Sequence, residues 1–148
     1  MLLKTSMALP GLDASLDDDD DVAELTARAV MRTVPPALPG IHFLSGGMAA
    51  EEATHNLQQL QRACPDAPWR LSFSFGRALQ DAVLTAWAGK EENVADAQAL
   101  LIELARVNGE AQRGVWDEVH PSPGGKRVLL PKLSYSSERR AGDNLFNW

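Results

Sequence analysis

The stretch Val34-Pro35-Pro36-Ala37-Leu38-Pro39-Gly40-Ile41-His42-Phe43-Leu44-Ser45-Gly46-Gly47 decides how the chain reads. Three prolines cannot continue a helix. They therefore end the amphipathic run from about Asp18 to Arg32, where Val22, Leu25, Ala29 and Met31 give an approximate helical stripe. Ile41 to Leu44 is then a short β-prone run, closed by the turn residues Ser45-Gly46-Gly47. Downstream, Ala53, Leu57, Leu60 and Cys64 mark one face of a helix from Ala49 to Cys64, which Pro65 and Pro68 terminate. Trp69, Leu71, Phe73 and Phe75 alternate as a strand does, and Gly76-Arg77 closes it. Leu79, Ala82, Val83 and Ala86 define a third helix running to Trp87, and a longer helix fills Glu91 to Arg113. Met1-Leu2-Leu3, ending at Lys4, supplies a first short apolar run before Pro10 and Gly11. Apolar run and helix alternate three times, which is the grammar of parallel α/β architecture. Residues 114–148 break it: Pro121, Pro123, Gly124, Gly125 and Pro131 leave only Val128-Leu129-Leu130 apolar, so a mostly irregular tail is expected.

Composition narrows the function. The chain has 148 residues, 45% hydrophobic and 23% charged, the proportions of one ordinary globular domain. It is too short for a complete (β/α)8 barrel, which takes about 250 residues. No stretch reaches the roughly 20 apolar residues of a membrane span, and Met1-Leu2-Leu3-Lys4 has no apolar core of a signal peptide, so neither a membrane nor secretion is expected. Cys64 is the single cysteine, which excludes an internal disulfide and fits a reducing compartment. The net charge is −6, divided into −9 over residues 1–120 and +3 over residues 121–148. An acidic body argues against nucleic acid, whose binding rests on clustered Lys and Arg.

In parallel α/β folds the chemistry sits at the carboxyl ends of the strands. Lys4, Ser45-Gly46-Gly47 and Gly76-Arg77 stand at the three ends. A lysine amine attacks carbonyls to form a Schiff base. Glycine-rich turns entering helices expose backbone N–H groups to phosphate, and an arginine holds phosphate oxygens bidentately. Together they suggest a phosphorylated carbonyl compound held while a lysine does covalent chemistry. Taken singly, a strand-end lysine is more often a solvated side chain and Ser-Gly-Gly more often a plain turn. Arg77 equally suits a pair with Asp81.

The run from Arg32 to Gly47 resembles class I fructose-bisphosphate aldolase, in its C-terminal half. So do Glu51 to Leu57, Trp69 to Gln80 and Ala86 to Val94. The similarity covers about residues 1–113. It implies an α/β fold that is the C-terminal portion of a (β/α)8 TIM barrel, incomplete in this chain, with residues 114–148 as a divergent tail. The family cleaves fructose 1,6-bisphosphate reversibly to dihydroxyacetone phosphate and glyceraldehyde 3-phosphate in glycolysis and gluconeogenesis, with no metal and no cofactor. By this resemblance Lys4 is the Schiff-base lysine of strand six. Ser45, Gly46 and Gly47 form the C1-phosphate loop after strand seven. Gly76 and Arg77, with Ser74 nearby, form the phosphate site of strand eight.

The resemblance further implies a sugar-phosphate substrate, homo-oligomeric full-length relatives and a cytoplasmic location, or a plastid if a transit peptide precedes Met1. The strand-one aspartate, middle-strand lysines and strand-five glutamate of the family belong to five βα units outside this sequence. The 148 residues alone are therefore expected to be unstable and to turn over little substrate. The second reading is an inactive fragment that binds phosphorylated ligand or full-length aldolase subunits. Two departures stand out: Thr5-Ser6-Met7 stands where the family usually has Pro-Asn-Met after the lysine, and the family's C-terminal tyrosine has no counterpart at Trp148. The run Asp17 to Asp21 lacks the spacing of a calcium loop and reads as a solvated helix start. His42, His55 and His120 show no zinc spacing; His42 reads as a packed neutral ring and His55 as solvent-facing. The tryptophans and phenylalanines, Trp148 excepted, read as core.

Overall fold

The computed structural model describes residues 1–11, 22–121 and the backbone of 127–129. Three short strands run parallel in the order β1 (Leu3–Thr5), β2 (Gly40–Phe43), β3 (Arg70–Phe73). Helix α1 (Val22–Thr33) joins the first two and α2 (Ala50–Ala63) the second pair. After β3 come α3 (Arg77–Trp87), a 3-10 turn (Glu91–Asn93) and α4 (Val94–Ala111). Each strand and the helix after it is a βα unit, as the alternation requires. β1 begins later than the apolar run suggested, so Lys4 lies within it rather than after it.

The strands are short, but the ladder continues past them. Leu44 N–H donates to Thr5 O (2.9 Å) and Ser74 N–H to Phe43 O (2.8 Å). Ile41 and Phe43 are fully buried and Leu71 nearly so, forming one apolar sheet face under the helices. On α2, Ala53, Leu57 and Leu60 are fully buried and Cys64 nearly so, the four positions the spacing marked. Each such leucine contributes about 1.5–3 kcal/mol relative to an exposed one. Burial raises the Cys64 thiol pKa, which keeps it protonated.

The α1 stripe falls elsewhere than expected. Val22, Ala23, Thr26, Ala27 and Val30 are buried, whereas Ala29 and Met31 are exposed. Thr26 explains the phase: its hydroxyl donates to Val22 O (2.6 Å) and accepts the Ala8 N–H (2.8 Å), tying the loop after β1 to the inner face of α1. Asp17 to Asp21 lie outside the described residues. His55 is half-buried rather than solvent-facing, because α2 packs against α1, α3 and α4. Trp69 and Trp116 are core, but Trp87, at the end of α3, is 42% exposed. Trp148 lies outside the described residues.

Beyond residue 113 the described chain is not wholly irregular. β4 (Val119–Pro121) pairs antiparallel with β5 (Arg127–Leu129). Gln58, fully buried on α2, accepts the Trp116 N–H (2.8 Å) and donates to Trp116 O (3.1 Å), so one side chain satisfies both backbone groups. Trp116 is 2% exposed and meets His120 edge-on. Thr54 on α2 and Asn108 on α4, both fully buried, share a hydrogen bond of 3.1 Å. A polar seam along α2 thus fixes α4 and the segment after it.

Gln58→Leu leaves a buried N–H and C=O unpaired, at about 1–3 kcal/mol. Hydrogen exchange at residues 114–118 accelerates at least about tenfold in that variant; unchanged exchange contradicts the seam. Burial lowers the His120 pKa, outweighing the Glu51 carboxylate that raises it. A lowered imidazole pKa means its stabilisation is full above about pH 6.5 and is lost as pH falls below that. Unfolding followed by tryptophan fluorescence at pH 8 and pH 5.5 shows this loss, and His120→Gln shrinks it. An undiminished difference in the variant assigns the acid sensitivity elsewhere.

Candidate active site

The site is built where the three parallel strands end. Parallel pairing places Lys4 beside His42 and His42 beside Ser72. Side chains alternate between faces along a strand, so these three lie opposite the apolar face of Ile41, Phe43 and Leu71. Lys4 is exposed, while His42 and Ser72 are half-buried. Among the described residues Lys4 makes no ion pair. The Ser72 hydroxyl donates to Gln112 Oε1 at 2.8 Å, so it is committed to the end of α4.

One level higher along the strands comes the first glycine turn. Ser45 is buried, and its carbonyl accepts the Met48 N–H (3.0 Å), closing a turn over residues 45–48. Gly47, third in that turn, has φ +82°, the left-handed conformation a type II turn requires there. At Gly46 a Cβ would stand 2.7 Å from the Leu44 side chain. Behind the turn, the Glu52 carboxylate accepts the Ala49 N–H (3.1 Å), closing off the start of α2.

The β3 end differs. Gly76 begins α3 with φ −94°, and no side chain caps that helix. Its carbonyl accepts the Leu79 and Gln80 N–H groups, both at 3.0 Å. A Cβ at Gly76 would meet nothing within 4 Å, so packing does not call for glycine here. What glycine leaves is open space over an uncapped helix N-terminus, where backbone N–H groups and the helix dipole favour an anion. Arg77, first in the helix, is exposed and forms no ion pair with Asp81 among the described residues. Among the described residues its guanidinium makes no ion pair. Ser74 is half-buried just below, its backbone held to β2.

The three sequence-marked positions thus stand on consecutive, hydrogen-bonded strands, with Lys4 three residues below the level of Ser45, or about 10 Å of strand. His42 was read as a packed neutral ring; the structure puts it on the polar face beside Lys4. Period-two alternation was the signal, since the buried Ile41 and Phe43 flank it.

Parallel βα units with polar residues at the strand ends place the chain among α/β proteins, whose open sheets and (β/α)8 barrels both carry their sites there. The model of the class-I fructose-bisphosphate aldolase family matches residues 1–133. A cytoplasmic aldolase isozyme of Cicer arietinum is 51% identical over 115 residues, 78% of this chain and 32% of that protein. The Drosophila melanogaster aldolase is 47% identical over 134 residues, 90% of this chain and 37% of that protein. The solved aldolase of Plasmodium falciparum, in complex with TRAP and a small-molecule inhibitor, superposes with a TM-score of 0.73 at 46% identity, covering 78% of this chain and 33% of that one. This chain belongs to the class I fructose-bisphosphate aldolase family, and it spans about a third of the length of those relatives. The family match runs past residue 113, where the visible resemblance stopped.

Alanine at Gly47 forces a Cβ into the left-handed region, at about 1–2 kcal/mol. Hydrogen exchange over residues 44–48 accelerates in Gly47→Ala. Exchange as slow as in the unsubstituted chain contradicts the strained turn.

Proposed function

We propose that this chain carries the Schiff-base and phosphate-binding part of a class I fructose-bisphosphate aldolase site, for reversible cleavage of fructose 1,6-bisphosphate to dihydroxyacetone phosphate and glyceraldehyde 3-phosphate. Lys4 is the nucleophile. Its amine attacks the substrate's ketone carbon, and loss of water leaves an iminium that draws electrons from the bond to be cleaved. Ser45, Gly46 and Gly47 hold the C1 phosphate through the turn's amides, with Gly76 and Arg77 on its other side and Ser74 beneath. The supporting observation is the start of α3, with no side-chain cap, beside an Arg77 that makes no ion pair among the described residues, on the strand next to the Ser45–Gly47 turn. Two loops that leave their donors free at one sheet end suit a doubly charged phosphate.

Acid–base groups of the family lie in βα units outside these residues, so carbon–carbon cleavage belongs to the completed barrel. Imine formation needs only the amine, the carbonyl and a proton source. The cytoplasmic naming of the plant relatives supports a cytoplasmic setting, and no helix among the described residues is long and apolar enough to cross a membrane.

Borohydride reduction in the presence of dihydroxyacetone phosphate, followed by peptide mass mapping, tests the reading. The adduct is expected on Lys4, absent in Lys4→Ala and reduced at least about tenfold in Arg77→Ala, which loses a charge-assisted phosphate contact. Labelling scattered over Lys90, Lys126 and Lys132 rejects it.

A further inference from the structure

We propose that residues 115–121 form a clasp across α2 and α4 that acid releases locally, with the buried His120 ring as its trigger.

Two side chains anchor the clasp. Trp116 is the first: it is 2% exposed, and Gln58 takes both its backbone N–H and its backbone C=O. Its indole Nε1 donates to Val119 O at 3.1 Å, which folds the segment back on itself. His120 is the second. It is 6% exposed and meets the Trp116 ring edge-on, with centroids 6.3 Å apart. The ring hydrogen-bonds to the Pro121 backbone, and its Nε2 is buried without a hydrogen-bond partner. A neutral imidazole leaves only a lone pair there, whereas a protonated one puts a charged N–H in the same dry place. An unpaired charge is far costlier to bury than an unpaired neutral atom. The Trp116 bonds do not titrate, so acid acts on the clasp through its His120 end.

The charged groups around the ring do not supply the missing partner. Glu51, His55, Gln58 and Arg62 stand at i, i+4, i+7 and i+11, one side of α2. The Glu51 carboxylate favours the charged ring, but burial outweighs it. Arg62 is committed to Glu118 and to the Gly114 carbonyl, both at 3.4 Å. His55 is half-buried on the same side of α2 and is the second imidazole there. On α4 the buried side consists of Leu104, Val107, Asn108 and Ala111, none of which titrates. Within the clasp Asp117 accepts the Val119 N–H, and β5 sets Val128 opposite His120.

Release moves the point at which the rest of the chain is tethered. Gly114 lies against Arg62 in the last turn of α2, while His120 senses Glu51 in the first turn. From Glu51 to Arg62 the helix rises about 16 Å. The closed clasp therefore carries the chain from the far end of α2 back to its start, which directly follows the Ser45–Met48 turn. Opening at acid pH undoes that return and leaves the tether at Gly114. The device is a pH-dependent choice between the two ends of one helix.

Amide hydrogen exchange of the full chain at pH 8 and pH 5.5 tests the release, each rate being divided by that of unstructured peptide. Between these two pH values protection over residues 115–120 is expected to fall severalfold, up to about tenfold. That ceiling corresponds to one proton taken up about one unit below the ordinary imidazole pKa. Protection over residues 53–60 of α2 stays the same. His120→Gln removes the fall, which also separates His120 from His55. Glu51→Gln, at a half-buried position, deepens the fall, because the carboxylate no longer favours the charged ring in the closed clasp. A substitution that merely loosens packing lowers protection equally at both pH values. A fall of equal depth in all three chains overturns the trigger. Unchanged protection in the unsubstituted chain, or an equal fall over residues 53–60, overturns local release.

Discussion

The two-sided placement of β2 is the constraint on which the rest depends. Ile41 and Phe43 bury one face of the central strand under the helices, and that burial fixes which residues face the other way. A slip of one residue against β1 would put His42 into the apolar layer and Lys4 level with a core position. The hydrophobic effect acting on two side chains thus sets the register that aligns Lys4, His42 and Ser72. The same register brings the turn at Ser45 beside the start of α3, because both strands end at the same height. The alignment of side chains at this end of the sheet is a consequence of packing at its back.

Helix α2 transmits that order to the rest of the chain. Its apolar positions hold the sheet, and its polar ones are spent inside the protein rather than in water. Thr54 bonds to Asn108, and Gln58 to both backbone groups of Trp116, with Arg62 and Glu118 closing the exposed end at 3.4 Å. The exposed ion pair contributes little beside the buried bonds. Such satisfied bonds specify one position for α4 and for the segment after it, where apolar contact alone tolerates sliding.

Much of this was legible in the sequence because it rests on local periodicity. The helical spacing of Ala53, Leu57, Leu60 and Cys64 and the alternation around Leu71 and Phe73 both map onto the sheet and its covering helix. The α1 stripe was misplaced because a threonine, polar by type, turned inward to bond a loop amide, and no hydropathy pattern reports that. His55 and Trp87 went the other way: whether a helix side faces solvent depends on which helices lie against it, a long-range fact. The segment after residue 113 carries turn residues that hide one buried tryptophan, fixed by a glutamine 58 positions earlier. At the site, Lys4, the Ser45–Gly47 turn and Gly76-Arg77 were visible as strand-end residues. The neighbour of Lys4 was not, since strand order and register are needed to see it.

The two halves of the proposed chemistry draw on different ranges of structure. The proposed phosphate binding would use backbone N–H groups of a tight turn and a helix start, together with one arginine, all formed within a few residues of each loop. These donors exist as soon as β2, β3 and α3 form. Carbonyl chemistry at Lys4 asks for more, because a polar reaction speeds up when its charges develop among fixed dipoles with water excluded. Lys4 is exposed on the polar face of a sheet whose β1 and β3 each have an unpaired side among the described residues. Further strands along those edges would close the face around the amine and restrict water there. The phosphate loops, buried at Ser45 and open above Gly76, change little in that closure. On the proposed reading, affinity for a phosphorylated ketone would be a local property of these three units, whereas the rate of bond cleavage would be a property of the closed barrel.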